Sequence, residues 1–253
     1  MINCIRLSRI LITTLCLIGS SLVTYGQSES KVTVRSAMFP GVGIMDPLQL
    51  YTGEGGKSEK VPIWGGKFTP EFELPRMDVW RFGSWEKSTN EDGRSVEVFH
   101  ERGRVKPPAS SRVWLIFLRT KPGEENSPLS VQAFAADNVG FEEGAVGVMN
   151  LTKVPVGVEI ATKKVRINSG GRQVIKPGTR RGQTYAVRFY YPHNNQLRPF
   201  VTTNWYHGER LRRLALIVPG RVDGPPNLLV VDDIAAREDV DTKETSESSS
   251  GNP

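Results

Sequence analysis

The chain of 253 residues has a formal net charge of +6, 25 glycines, 17 prolines and two cysteines. Both cysteines, Cys4 and Cys16, precede Gln27. A chain processed there has no thiol, which excludes a cysteine nucleophile, a thiolate zinc site, an iron–sulfur cluster and a redox pair.

Met1 to Gly26 has the layout of an export signal. Arg6 and Arg9 precede an apolar run from Ile10 to Val23, and Thr24 and Gly26 are small residues at the minus-three and minus-one positions. The run falls short of the roughly 20 apolar residues that cross a bilayer. Cys16 follows Thr14-Leu15, without the small residue that lipoprotein acylation wants directly before its cysteine. The expectation is an exported protein, periplasmic or extracellular, with no transmembrane segment in its mature form. Its 227 residues from Gln27 onward can bury a core without disulfides.

After the signal, no segment sustains a helical apolar period over three turns, and short strand-like runs are punctuated by Gly and Pro. The first half predicts strands at Lys31 to Phe39, Leu48 to Tyr51, Lys60 to Trp64, Asp78 to Phe82, Ser95 to His100, Arg112 to Arg119 and Leu129 to Ala135. Val113 to Leu118 is apolar at every position, the pattern of a strand buried on both faces. Trp80 and Phe82 share one face, and Trp85 is expected beyond a Gly83-Ser84 turn.

The second half predicts strands at Ala145 to Asn150, Val154 to Ile160, Lys163 to Asn168, Arg172 to Lys176, Thr184 to Tyr191, Phe200 to Tyr206, Leu214 to Val218 and Leu228 to Asp232. Val154, Val156, Val158 and Ile160 alternate with Pro155, Gly157 and Glu159, so one face is apolar. Ser169-Gly170-Gly171 reads as a hairpin turn. The expected fold is all-β: two tandem antiparallel β-sandwich, immunoglobulin-like domains, 27–138 and 144–234, joined through the polar stretch Asp137 to Gly144. Residues 235–253 are expected to form a disordered, acidic, Ser-rich tail, since Glu244 to Pro253 offers almost no apolar anchor.

Several stretches carry a resemblance. Gly147-Val148-Met149-Asn150-Leu151-Thr152 with Pro155-Val156-Gly157-Val158, then Ile175-Lys176-Pro177-Gly178, and Arg212 to Val218 resemble uncharacterised exported bacterial β-sandwich proteins. Val131-Gln132-Ala133-Phe134 in the first half is similar too. The resemblance implies the sandwich architecture and no activity.

Removing Arg6 and Arg9 with the signal leaves +4. The stretch from Ala235 holds Arg237 and Lys243 against Glu238, Asp239, Asp241, Glu244 and Glu247, a net of −3, so the body between carries +7. Such a body favours anionic partners, and export makes envelope polysaccharide, lipid head groups or acidic proteins the relevant ones rather than nucleic acid. Arg180-Arg181 and Arg210 with Arg212-Arg213 are the densest basic groups. They read either as solvated edges that discourage aggregation or as an anion site beside Trp205-Tyr206-His207.

No Gly-x-Ser-x-Gly elbow occurs. His193, His207 and Glu209 are the candidates for an open metal site. The adjacent pairs Glu142-Glu143 and Asp232-Asp233 point to opposite strand faces and make poor acid/base couples, and are expected to solvate a connection and a strand end. Trp114 is expected in the core. Asn150-Leu151-Thr152 matches a glycosylation sequon. The sequence therefore predicts a non-enzymatic interaction or structural module of the cell envelope, with no catalytic residue, cofactor or metal. Its partner is expected to be an envelope protein or an anionic polysaccharide, and its candidate ligand-binding residues are Trp205, Arg212, Arg213 and Trp85. A carbohydrate-binding accessory module is the alternative, and a small metal-dependent hydrolase a third reading.

Overall fold

The structure is a computed structural model that describes residues 30–53, 58–120, 127–137, 141–208, 210–221 and 224–234. The expected signal and the expected acidic tail lie outside the described residues. Among those residues the chain forms sixteen strands and no helix, an all-β architecture of three sheets.

The first half contributes β1 (Lys31–Phe39), β2 (Gly43–Tyr51), β3 (Ser58–Gly65), β4 (Phe72–Pro75), β5 (Trp80–Thr89), β6 (Ser95–Val105), β7 (Arg112–Arg119) and β8 (Leu129–Ala135). They make one sheet in the order β6-β5-β2-β3-β1-β7-β8, with β4 paired to β1. The sheet rolls until β6 meets β8, where a Cβ at Gly103 would lie 2.7 Å from Val131 Cγ2. Inside the roll, Val34, Leu50, Ile63, Trp80, Phe82 and Phe117 belong to one buried cluster.

The second half contributes β9 (Val146–Asn150), β10 (Val156–Ile160), β11 (Lys163–Ile167), β12 (Arg172–Ile175), β13 (Thr184–His193), β14 (Gln196–Tyr206), β15 (Leu211–Val218) and β16 (Asn227–Ile234). These form two four-stranded sheets, β11-β10-β13-β14 and β12-β9-β15-β16. Val148, Val158, Val187, Phe189, Trp205 and Ile217, drawn from both sheets, share a second core.

The expectation of antiparallel pairing throughout is corrected at the entry strands. β1 pairs in parallel with β7 and, at one position, with β3; β9 pairs in parallel with β15. A parallel pair needs a long crossover, and the strands that intervene in the chain supply it.

A third core joins the halves. Phe68, Trp114, Ile116, Phe141, Leu216 and Val231 pack between the outside of β1, β7 and β8 and the outside of β9, β15 and β16. β7 therefore sends Val113, Leu115 and Phe117 into the first core and Trp114 and Ile116 into the third, as its unbroken apolar run predicts. β15 does the same, with Ala215 and Ile217 in the second core and Leu214 and Leu216 in the third. Trp114 is core, 1 % exposed, but in the junction rather than inside the first half.

Two turn expectations are corrected. Gly83-Ser84 is no turn: β5 runs through it with a register shift at Phe82/Gly83, and glycine is required because a Cβ there would collide with the His100 carbonyl of β6. Ser169-Gly170-Gly171 does turn the chain, with Gly170 at φ 69°, yet it closes no hairpin. β11 pairs with β10 and β12 with β9, so this turn hands the chain from one sheet to the other.

Candidate interaction surface

Two of the four residues singled out from the sequence lie at the start of β15, opposite the end of β16. The antiparallel register sets Arg212 against Asp233 and Arg213 against Asp232. Successive residues point to opposite faces, so the two ion pairs separate into different layers.

Arg212 faces the junction. Its Nε donates to Asp233 Oδ2 at 2.9 Å, its Nη2 bonds the same oxygen, and its Nη1 donates to the Ala136 carbonyl at 2.7 Å. Its guanidinium lies 4.8 Å from the centroid of the Trp114 ring. Arg35 of β1 reaches the other oxygen of Asp233, whose side chain is 1 % exposed. Asp233 thus does not solvate a strand end, as the sequence suggests; a cation from each half holds it in the junction.

Arg213 faces the second core. It forks onto Asp232 at 2.6 and 2.9 Å and lies 4.7 Å above the Trp205 ring. Burial pulls its pKa down, but the hydrogen bond and charge of Asp232 outweigh that and raise it. Trp205 is 9 % exposed and packs on Tyr185 and Phe189, which leaves no open ring face for stacking. The structure brings Trp205 and Arg213 together and turns Arg212 away from them. Trp85 sits on a different sheet, half-buried against Tyr51 and Phe99, and its indole N–H has no hydrogen-bond partner among the described residues.

The histidines do not meet. His193 pairs with Gln196 at one end of the β13–β14 hairpin, and His207 follows the opposite end of β14. Eleven strand residues separate these ends, roughly 35 Å at about 3.3 Å per residue. His207 Nδ1 bonds the Thr179 carbonyl at 2.7 Å. Glu209 lies outside the described residues, among which no cluster of three metal-ligating side chains occurs. Asn150 is fully buried: its amide donates to the carbonyls of Val154 and Ile167, and its oxygen accepts from Thr152 N and Oγ1. The sequon thus forms a structural knot in the folded chain.

A groove of about 580 Å³ opens along the β11-β10-β13-β14 sheet. Gly157 of β10 pairs with Tyr190 of β13, whose side chain lies against the glycine. Tyr190 OH donates to Glu159 Oε2 at 3.1 Å, and Glu159 Oε1 faces Arg188 at 3.6 Å and Lys164 at 3.8 Å. Pro155, Pro192 and Leu197, the last 65 % exposed, give the groove an apolar lining. Arg166, exposed and without an ion pair among the described residues, lines it as well. The surface offers apolar contact flanked by cations. Sequence reasoning passed over it, and its one trace was Gly157 on the outward face of an alternating strand.

Comparison with known protein families and with curated proteins gives no match. Among the described residues no helix is long and apolar enough to cross a membrane.

Proposed function

We propose that this chain is a non-enzymatic interaction module, exported to the cell envelope, in which two welded sandwich-like halves present the β11-β10-β13-β14 face to a partner. The observation that carries the reading is that groove, fixed on a body whose junction is filled by a shared core and clamped at Asp233. Of the immunoglobulin-like tandem of 27–138 and 144–234, the second half supports the sandwich and the first supports only an all-β unit. In the second half two sheets enclose one core, and in the first a single sheet rolls around another.

The groove suits an extended segment of an envelope protein that brings an apolar side chain to Leu197 and an acidic group to Arg166. Screening the chain from Gln27 against acidic peptides and anionic polysaccharides tests it. Expected is peptide binding that Leu197→Asp abolishes and that Arg166→Ala weakens about tenfold, less so in high salt. Polysaccharide binding indifferent to both substitutions overturns it in favour of a carbohydrate module, to which the half-buried Trp85 cluster is the structural pointer. Export is tested separately: the protein recovered outside the cytoplasm begins at or near Gln27 and reacts with no thiol reagent. An intact N-terminus with alkylatable Cys4 and Cys16 overturns it.

A further inference from the structure

We propose that the tip joining β1 to β2 is a lipid anchor that seats the protein on an anionic bilayer surface. Val42 is 93 % exposed and Ile44 81 %, the two most exposed large apolar side chains among the described residues. They stand two residues apart, Val42 on the connection and Ile44 at the start of β2, and neither gains anything from facing water.

The tip is built to hold them out. Gly65 of β3 comes so close to Gly41 and Val42 that any side chain there would collide with their backbone, and Gly66 N donates to the Met38 carbonyl at 3.1 Å. Gly43, at φ 76°, makes the bend that returns the chain into β2. Pressed onto β3 in this way, the tip lacks the slack to fold its aliphatic side chains back onto the core.

Behind the aliphatic pair stands an interfacial shoulder. Ile44 pairs with Trp64, and Lys67 Nζ lies 4.7 Å from the Trp64 ring centroid. Arg119 reaches Met38 Sδ at the end of the neighbouring β7. Asp46, within β2, is the one acid between β1 and the end of β2. Exposed aliphatic residues with a tryptophan and cations close beside them are the combination that the boundary between acyl chain and head group takes. The +7 body supplies attraction to an anionic surface beyond these contacts. A protein partner fits less well, because two side chains fall far short of the roughly 800 Å² that a stable interface covers on each partner. The tip is on β1 and β2 and the groove on β10, β11, β13 and β14, so the two can be tested apart.

Among the described residues the buried apolar core runs from Val32 to Val231, so a chain beginning at Gln27 keeps all of it and has no cysteine. Val42→Cys in that chain, labelled with an environment-sensitive fluorophore, is mixed with phosphatidylcholine vesicles with and without about 30 % phosphatidylglycerol. Expected is a blue-shifted emission with the anionic vesicles and none from the same label at Thr202→Cys, exposed on β14. Unlabelled protein should co-sediment with those vesicles, and Val42→Asp with Ile44→Asp should cut the bound fraction about tenfold while Leu197→Asp leaves it unchanged. Unchanged thermal unfolding and circular dichroism of the double variant exclude loss of fold as the cause. No binding, or binding indifferent to the double variant, overturns the proposal. So does a blue shift that rises with protein concentration in the absence of lipid, which would assign the tip to self-association.

Discussion

Asp233 holds the charge balance of the junction. Its carboxylate, almost fully withdrawn from water, is tolerated because Arg35 and Arg212 converge on it from the two halves. Asp233→Ala leaves two guanidinium groups facing one another without their counter-ion, and breaking a buried pair this way costs about 3 kcal/mol or more. Denaturant unfolding should show that loss, and a change below about 1 kcal/mol would mean that water reaches the arginines readily. Trp205→Ala removes a core indole and uncovers Arg213, and is expected to cost about 3 to 5 kcal/mol. Both sites adjoin the same four-residue register, Arg212-Arg213 against Asp232-Asp233. The sequence contained that signal, a doubled cation opening one strand and a doubled anion closing the next, but charge alone could not say that the strands were partners.

At the scale of elements, strands announced themselves where burial imposed a period. β1, β7 and β8 have the boundaries that alternation and flanking polar residues predict, whereas β4 has four residues and ends on Pro75, too short for any period to register. Pairing was far less legible, because the residues that decide it are remote: Gly157 meets Tyr190, and Ser169 to Gly171 joins two sheets. The β7 entry shows a local device of this kind. Asp137, just past β8, bonds Ser110 Oγ, and accepts from Ser111 N at 3.2 Å and Ser111 Oγ at 3.1 Å. The Ser110 hydrogen bond foremost, with those of Ser111, holds the carboxyl below the ordinary aspartate range against a smaller desolvation effect. Glu101 is shifted the same way: burial pushes it up, and the hydrogen bonds and charges of Arg81 and Arg104 more than reverse this. A depressed carboxylate pKa stabilises the fold fully above its unfolded value, near 3.9 for Asp, and the stabilisation fades as pH falls from there through the folded value. Unfolding midpoints should therefore drop below about pH 4, and Asp137→Asn should shallow that drop. An identical acid limb in the variant would remove Asp137 from the account.

For the whole molecule, the junction decides whether the halves behave as one body. β7 and β15 are each buried on both faces, so each is the middle of two cores at once, and neither half can unfold without stripping the third core of one wall. Thermal unfolding should then be a single transition with matching calorimetric and van't Hoff enthalpies. Trp114 is the place to test this. Its ring lies tilted against Phe68 at 4.9 Å and meets Phe141 edge-on at 5.1 Å, with Arg212 above it, so it touches both walls of the junction. Trp114→Ala should cost about 3 to 5 kcal/mol and, because the loss falls on the contact between halves, should broaden or split the transition. Phe82→Ala removes a ring of similar burial from inside the first half alone. It should lower stability comparably, and since the junction survives, the two halves should still melt together. Two separate transitions in the unsubstituted protein, or identical effects of the two substitutions on transition width, would show that the halves are neighbours rather than one cooperative unit.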